Sequence, residues 1–265
     1  MKIFLPVIIL LSFSTFADHY PGHAKLEWGI GAVMLSTPDY IGSSRSQNLF
    51  APFPYLKYRG KHLRIDDGIE ARLFNTPDLL LSISGNGSLP SPDDNPAREG
   101  MDKLDASIEF GPSLEYRLTH DESTSVWLEV PLRFAFSIGD NTGYIGQIFN
   151  PKIAWRKSAL NKFDWKLRVA VGPIFGDEDF NGYYYNVAEH EITSQRPAFK
   201  AVQGYNGFRT DFTYSRRIGK FWLGGFIRND NLSNSVIEDS PLVTESSNWT
   251  AGISLALVFS DRGCC

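Results

Sequence analysis

Apolar residues recur at every second position through most of this chain. In FDWKLRVAVGPIF (163 to 175), Phe163, Trp165, Leu167, Val169, Val171, Pro173 and Phe175 form one set. The other set begins with Asp164, Lys166 and Arg168. A period of two marks a β-strand with one greasy face and one wet face. The same alternation appears in LEWGIGAVM (26 to 34), DASIEFGPSLEYRL (105 to 118), SVWLEVPLRFAF (125 to 136) and WTAGISLALVF (249 to 259). It is weaker in FRTDFTYSR (208 to 216) and FWLGGFIRN (221 to 229). Many of these segments outrun the five or six residues usual for soluble strands and reach the ~9–11 needed by a tilted strand crossing a bilayer.

The polar faces carry Glu109, Glu115, Arg133, Lys166 and Arg168 in mid-strand. A membrane barrel hides such residues in its lumen, where they pair with one another and fill the space. Aromatic residues near segment ends (Trp28, Tyr58, Trp127, Trp155, Trp165, Trp222, Trp249) suit interfacial girdles. Connections alternate between short turns, such as 119 to 123, 158 to 162 and 216 to 220, and long loops at 87 to 103, 177 to 198 and 233 to 247. Short periplasmic turns and long outer loops are the outer-membrane arrangement. The expected fold is therefore all-β, a closed antiparallel transmembrane β-barrel of about 12 strands, with ten as the fallback. A raw tally gives an odd count of about eleven strands. In KHLRIDDGIEARLF (61 to 74) a continuous strand would place Asp67 on the lipid face, and Asp67-Gly68 is a turn dipeptide. A chain reversal there restores an even number.

The N-terminus bears on the compartment. Met1-Lys2, the apolar run 3 to 13 and the small residues ending at Ala17 read as a cleaved signal peptide over 1–17. The barrel is assigned to 18–260 and a short tail to 261–265, with both cysteines, Cys264 and Cys265, at the extreme end. The formal net charge is −4, and a mildly acidic chain gives nucleic acid no footprint. A slightly negative mean hydropathy excludes a bundle of membrane helices but not a barrel, because alternation dilutes the apolar signal.

Candidate chemistry is sparse. The five histidines, His19, His23, His62, His120 and His190, are scattered, and only His62 adjoins a strand near an interface. A lipid-cleaving Ser–His pair needs hydrogen-bond reach and an orienting group, which no spacing here supplies. Asp177-Glu178-Asp179 with Asn181 lacks the spaced ligands of a calcium loop and reads as a solvated loop face, as does Asp93-Asp94. The glycines of GNG (85 to 87) precede no helix, which excludes a phosphate cradle. No catalytic, cofactor-binding or metal-binding residue is assigned, and no cofactor is expected.

STPDYIGS (36 to 43) followed by PFPYLKYRG (52 to 60) resembles the N-terminal signature of the MipA/OmpV family of outer-membrane proteins. GPSLEYRL (111 to 118), YYYNVAEHE (183 to 191) and DSPLVTESSNWTAGISLALVF (239 to 259) are similar to later motifs of that family, in the same order. One departure is that Phe259, the closing aromatic, is followed by SDRGCC. The resemblance implies an outer-membrane location in contact with outer-membrane lipid, no catalytic residues, and a scaffold role. The family's namesake binds a lytic murein transglycosylase and a bifunctional murein synthase. A narrow porin-like channel and an adhesin acting through loops 87 to 103 and 177 to 198 are the alternatives.

Overall fold

The structure is a computed structural model. It describes residues 25–263 except 61–62, 66–68, 120, 122–123 and 160–163. The signal-peptide assignment, His19, His23, His62, Asp67, His120, Cys264 and Cys265 lie outside the described residues.

Among the described residues, thirteen strands form one antiparallel sheet: β1 (Lys25–Pro38), β2 (Ser46–Arg59), β3 (Leu63–Ile65), β4 (Ile69–Asn75), β5 (Leu79–Ser88), β6 (Ala106–Arg117), β7 (Thr124–Ile138), β8 (Gly143–Phe149), β9 (Lys152–Ala159), β10 (Trp165–Gly176), β11 (Gly204–Ile218), β12 (Phe221–Asn231) and β13 (Ser247–Gly263). Each strand pairs with its chain neighbour except β8 and β9, which each pair with β7 and β10; β1 also pairs with β13, so the sheet closes on itself. β8 and β9 share one place in the wall. Both lie between β7 and β10, and they are separated only by Asn150-Pro151. Pro151 cannot donate to a ladder, and Gly172 of β10 leaves room for its carbonyl, which a Cβ would meet at 1.9 Å. The barrel therefore has twelve wall positions. The reversal expected at Asp67-Gly68 is the reason: β3 and β4 pair antiparallel, Leu63 with Ala71 and Ile65 with Ile69.

The faces follow the parity of the sequence. On β10, Lys166, Arg168, Ala170 and Ile174 are buried, while Val171 and Phe175 face outward. Trp28, Ile30 and Met34 of β1, Phe50 of β2, Phe212 of β11, Ile227 of β12 and Ile253 of β13 form part of an apolar outer belt. An exposed apolar surface of that extent is stable only against lipid. Trp28 and Phe259 meet edge-on at 5.1 Å near one rim. β13 continues past Phe259 to Gly263, opposite Lys25.

Two aromatic assignments are corrected. Trp127 is 2% exposed and points inward, and Trp222 packs inside against Tyr55 at 5.4 Å. Their positions share parity with the charged residues of their strands, Glu129 on β7 and Asp230 on β12, which is why they face the lumen.

The long-loop end also contains a helix where a plain loop was expected, α1 (Glu178–Tyr185). Asp177 caps it, accepting from the Phe180 N–H at 2.8 Å, and Glu178 and Asp179 follow in the first turn. The acidic run is thus a helix start, where carboxylates offset the orphan N–H groups and the dipole.

Candidate functional site: the lumen and its cap

The lumen has two unlike sides. Across β6 to β12 it is filled with ion pairs. Arg156 of β9 donates to Glu115 of β6 at 2.6 Å and to Glu129 of β7. Glu129 also accepts from Arg168 of β10, at 2.6 Å to Nη2 and 3.3 Å to Nε. Arg156 lies over the Trp127 ring at 4.9 Å. Lys152 and Arg228 converge on Asp211 at 3.2 and 2.7 Å, and Arg209 holds Asp230 at 2.6 Å. Nearly all these groups are almost fully buried. Unpaired charges in such a place would cost several kcal/mol each, so the pairing is what allows them to be there. The inward charges expected from the alternation, Glu109, Glu115, Lys166 and Arg168, are all buried, and Arg133 faces in beside them.

The other side, β13, β1 and β2, is apolar in its middle stretch, above Glu27 of β1, which accepts from Arg217 at 3.1 Å. Val33 and Leu35 of β1, Tyr55 of β2, and Ala256 and Val258 of β13 are buried, with Phe53 and Trp222 packed against the last three. Gly31 makes room for the Phe53 ring, which a Cβ would approach to 2.6 Å.

Loops seal the long-loop end. Tyr40, Leu104, Tyr185, Val187, Ala201, Leu232, Ile237 and Leu242 form a small core drawn from four connections. The run Tyr183-Tyr184-Tyr185 on α1 stitches it together. The Tyr183 hydroxyl accepts from the Asp105 N–H at 3.0 Å, and Tyr185 donates to the Ile41 carbonyl at 2.8 Å. Arg98 donates to the Tyr184 carbonyl at 3.0 Å, and Tyr40 donates to the Leu242 carbonyl at 2.7 Å. Arg196 donates to the carbonyls of Ala97, Glu99 and Glu191. Burial pushes the Tyr40 and Tyr184 hydroxyls up to about 12 and Tyr185 well above its ordinary value. A closed core of this kind, with buried hydroxyls paired to carbonyls, makes a lid of the loops.

The two ends differ in charge. The loops at 39–45, 89–105, 139–142, 177–203 and 232–246 hold fifteen Asp and Glu against five Lys and Arg. At the short-turn end, Lys57, Arg59, Arg117, Lys157, Arg216 and Lys220 cluster near the strand ends, with Asp121 and Asp164 among the acids there. Short turns mark the periplasmic side, so the periplasmic rim is basic and the outer surface acidic.

The described residues include no cluster of His, Cys, Asp and Glu arranged to hold a metal ion. His190 stands exposed in the outer loops.

The chain is similar to known outer membrane proteins. Outer membrane protein Omp26La of Vibrio anguillarum is 25% identical over 213 residues, covering 76% of each chain. Outer membrane protein OmpV of Vibrio cholerae is 25% identical over 216 residues, again 76% of each. Among solved structures, an outer-membrane channel of Pseudomonas putida F1 covers 92% of this chain and 98% of its own, at 12% identity and a TM-score of 0.46. The Escherichia coli outer membrane protease OmpT aligns over 93% and 99% at 9% identity and a TM-score of 0.34. The family described as MltA-interacting protein MipA matches residues 30–259. This chain is an outer-membrane β-barrel, and it belongs to the MipA family.

Proposed function

We propose that this barrel is a non-enzymatic scaffold that docks a murein transglycosylase on its periplasmic rim. The observation that carries this reading is the charge difference between the two ends: basic side chains gather at the rim that faces murein, and acidic ones cover the outside. The family's description, MltA-interacting, supplies the kind of partner. A basic collar steers and orients an acidic protein surface. The filled charged side of the lumen and the sealed outer mouth support a structural role over an ion channel.

The test is a pull-down from detergent-solubilised envelope under mild cross-linking, with the tag in the 232–246 loop. Recovery of a murein transglycosylase, reduced at least tenfold by Arg117→Glu with Lys157→Glu, is the expected result. Recovery of no murein enzyme by the folded wild-type barrel overturns the scaffold.

A further inference from the structure

We propose that the barrel wall has a side window between β2 and β5, and that it admits small, neutral, apolar molecules from the bilayer to the apolar side of the lumen. This goes beyond the scaffold reading and does not depend on it.

The window follows from strand register. β2 pairs with β1 along its whole length, from Ser46–Pro38 to Arg59–Lys25. On its other edge, among the described residues, it meets β3 only at Tyr58 and Arg59. The described arms of the β3–β4 hairpin are short, and β3 spans three residues. On the far side, among the described residues, β4 pairs with β5 from Asn75–Leu80 to Glu70–Ser84. Among the described residues, then, Gln47 to Pro54 pair only with β1, and Gly85, Gly87 and Ser88 only with β6. At about 3.4 Å per residue this leaves roughly 25 Å of the second edge of β2 with no strand paired to it among the described residues. The opening is bounded below by the hairpin. Above, Gln47 Nε2 donates to the Pro90 carbonyl at 3.1 Å, and Arg45 pairs with Asp94, so loop 89–105 forms the upper frame.

The sequence supports a permanent edge here. Pro52 and Pro54 lie two apart, so both missing N–H groups belong to the same side of the strand. Proline is tolerated in sheets on edges that carry no ladder. An open edge in hydrocarbon is costly because its donors go unsatisfied, and two prolines remove two of those donors. The same substitution makes the edge a poor template for another strand. The facing edge carries Gly85 and Gly87, which add no side-chain bulk to the gap.

Two features select the ligand. Leu49, Ala51 and Phe53 are on the lumen face of β2 beside the gap and continue the apolar side formed by Val33, Leu35 and Val258. The outer mouth is sealed by the cap, so a solute entering from outside the cell meets a closed lid, whereas one dissolved in the bilayer meets the window. The stretch of the lumen face beside the gap, Leu49, Ala51 and Phe53 with Val33 and Leu35, is apolar, which favours neutral solutes over charged ones.

The test uses the full-length protein, with Cys264→Ser and Cys265→Ser, in phospholipid vesicles. A neutral diazirine-bearing naphthalene is photolysed and the labelled residues are mapped by mass spectrometry. Saturable label on Leu49, Ala51 and Phe53, competed by plain naphthalene, is expected. Ala51→Trp should cut that label at least tenfold, leave label on lipid-facing Phe212 and Ile253 unchanged, and preserve heat-modifiable mobility. Leu49→Phe serves if Ala51→Trp fails to fold. Label confined to the lipid face overturns the proposal. So does equal lumen labelling by a sulfonated, membrane-impermeant analogue, which shows entry from water. Efficient disulfide formation between two chains carrying Phe50→Cys also overturns it, because the edge is then a dimer contact.

Discussion

Glu129 is the hub of the lumen network, and its removal tests whether that network holds the barrel together. Its carboxylate is 3% exposed and takes hydrogen bonds from two arginines that are themselves 1% and 4% exposed. In Glu129→Ala, Arg156 keeps Glu115 at 2.6 Å, but Arg168 loses the carboxylate that holds it. Arg156 has little slack, since its Nε and Nη1 already lack a hydrogen-bond partner among the described residues. Breaking a buried pair from one side costs about 3–5 kcal/mol, because the remaining charge stays buried. The expected loss is at the lower end, about 3 kcal/mol, because Arg156 keeps one partner. Glu129→Leu combined with Arg168→Met removes both charges and should recover most of that loss. Urea unfolding in micelles reads both variants. Trp127, stacked under Arg156 at 4.9 Å, is a fluorescent reporter beside the lesion. A single variant within about 0.5 kcal/mol of wild type would refute the reasoning, as would a double variant less stable than the single.

Asp177→Ala removes the cap of α1 and should cost about 1 kcal/mol, read as earlier protease cleavage in residues 177–203 with the barrel intact. Gly146 sits at φ 118°, and a Cβ there would meet the Phe180 backbone nitrogen at 2.2 Å, so Gly146→Val should unseat α1 more severely than Asp177→Ala in the same assay. The cap should also be alkali-sensitive. The folded pKa of Tyr40 and Tyr184 is about 12 against an ordinary 10.0, so their contribution is fully present below pH 10 and falls as pH rises through 10 to 12. Tyrosinate absorbance should show a late-titrating class that appears together with loop proteolysis; titration of every tyrosine near 10 would contradict a buried cap.

Strand faces were legible because a period of two leaves little choice. Once Lys166 and Arg168 were placed inside, Trp165, Leu167 and Val169 had to face lipid. The break at Asp67-Gly68 was legible for the same reason, as a carboxylate on the wrong parity beside a turn dipeptide. Trp127 and Trp222 were misassigned by residue type when parity already held the answer, since each shares its face with a charged residue two to eight positions along its strand. The α1 helix left a fainter mark. Eight residues containing Gly182 give too little periodicity to read, and only the Asp177 cap with its acidic first turn signals a start.

Pairing across the lumen is a different kind of information. Parity states that Glu129, Arg156 and Arg168 face inward, but which of them meet depends on which strands are neighbours and on how far each is sheared. Arg156 reaches Glu129 because β9 shares the wall position of β8 beyond Pro151, which sets its register against β7 at Lys152–Glu129. The side window is the same lesson in reverse. PFPY and GNG are far apart in sequence and unremarkable alone, and they become the two edges of one opening only because a hairpin of three and seven residues lies between them. If a longer β3–β4 hairpin were built in, extended by two residues on each arm with alternating apolar and small residues, the window should narrow and naphthalene labelling of Leu49 should fall while the lumen network and its stability remain unchanged. A loss of label without a loss of stability would separate the opening from the scaffold that surrounds it.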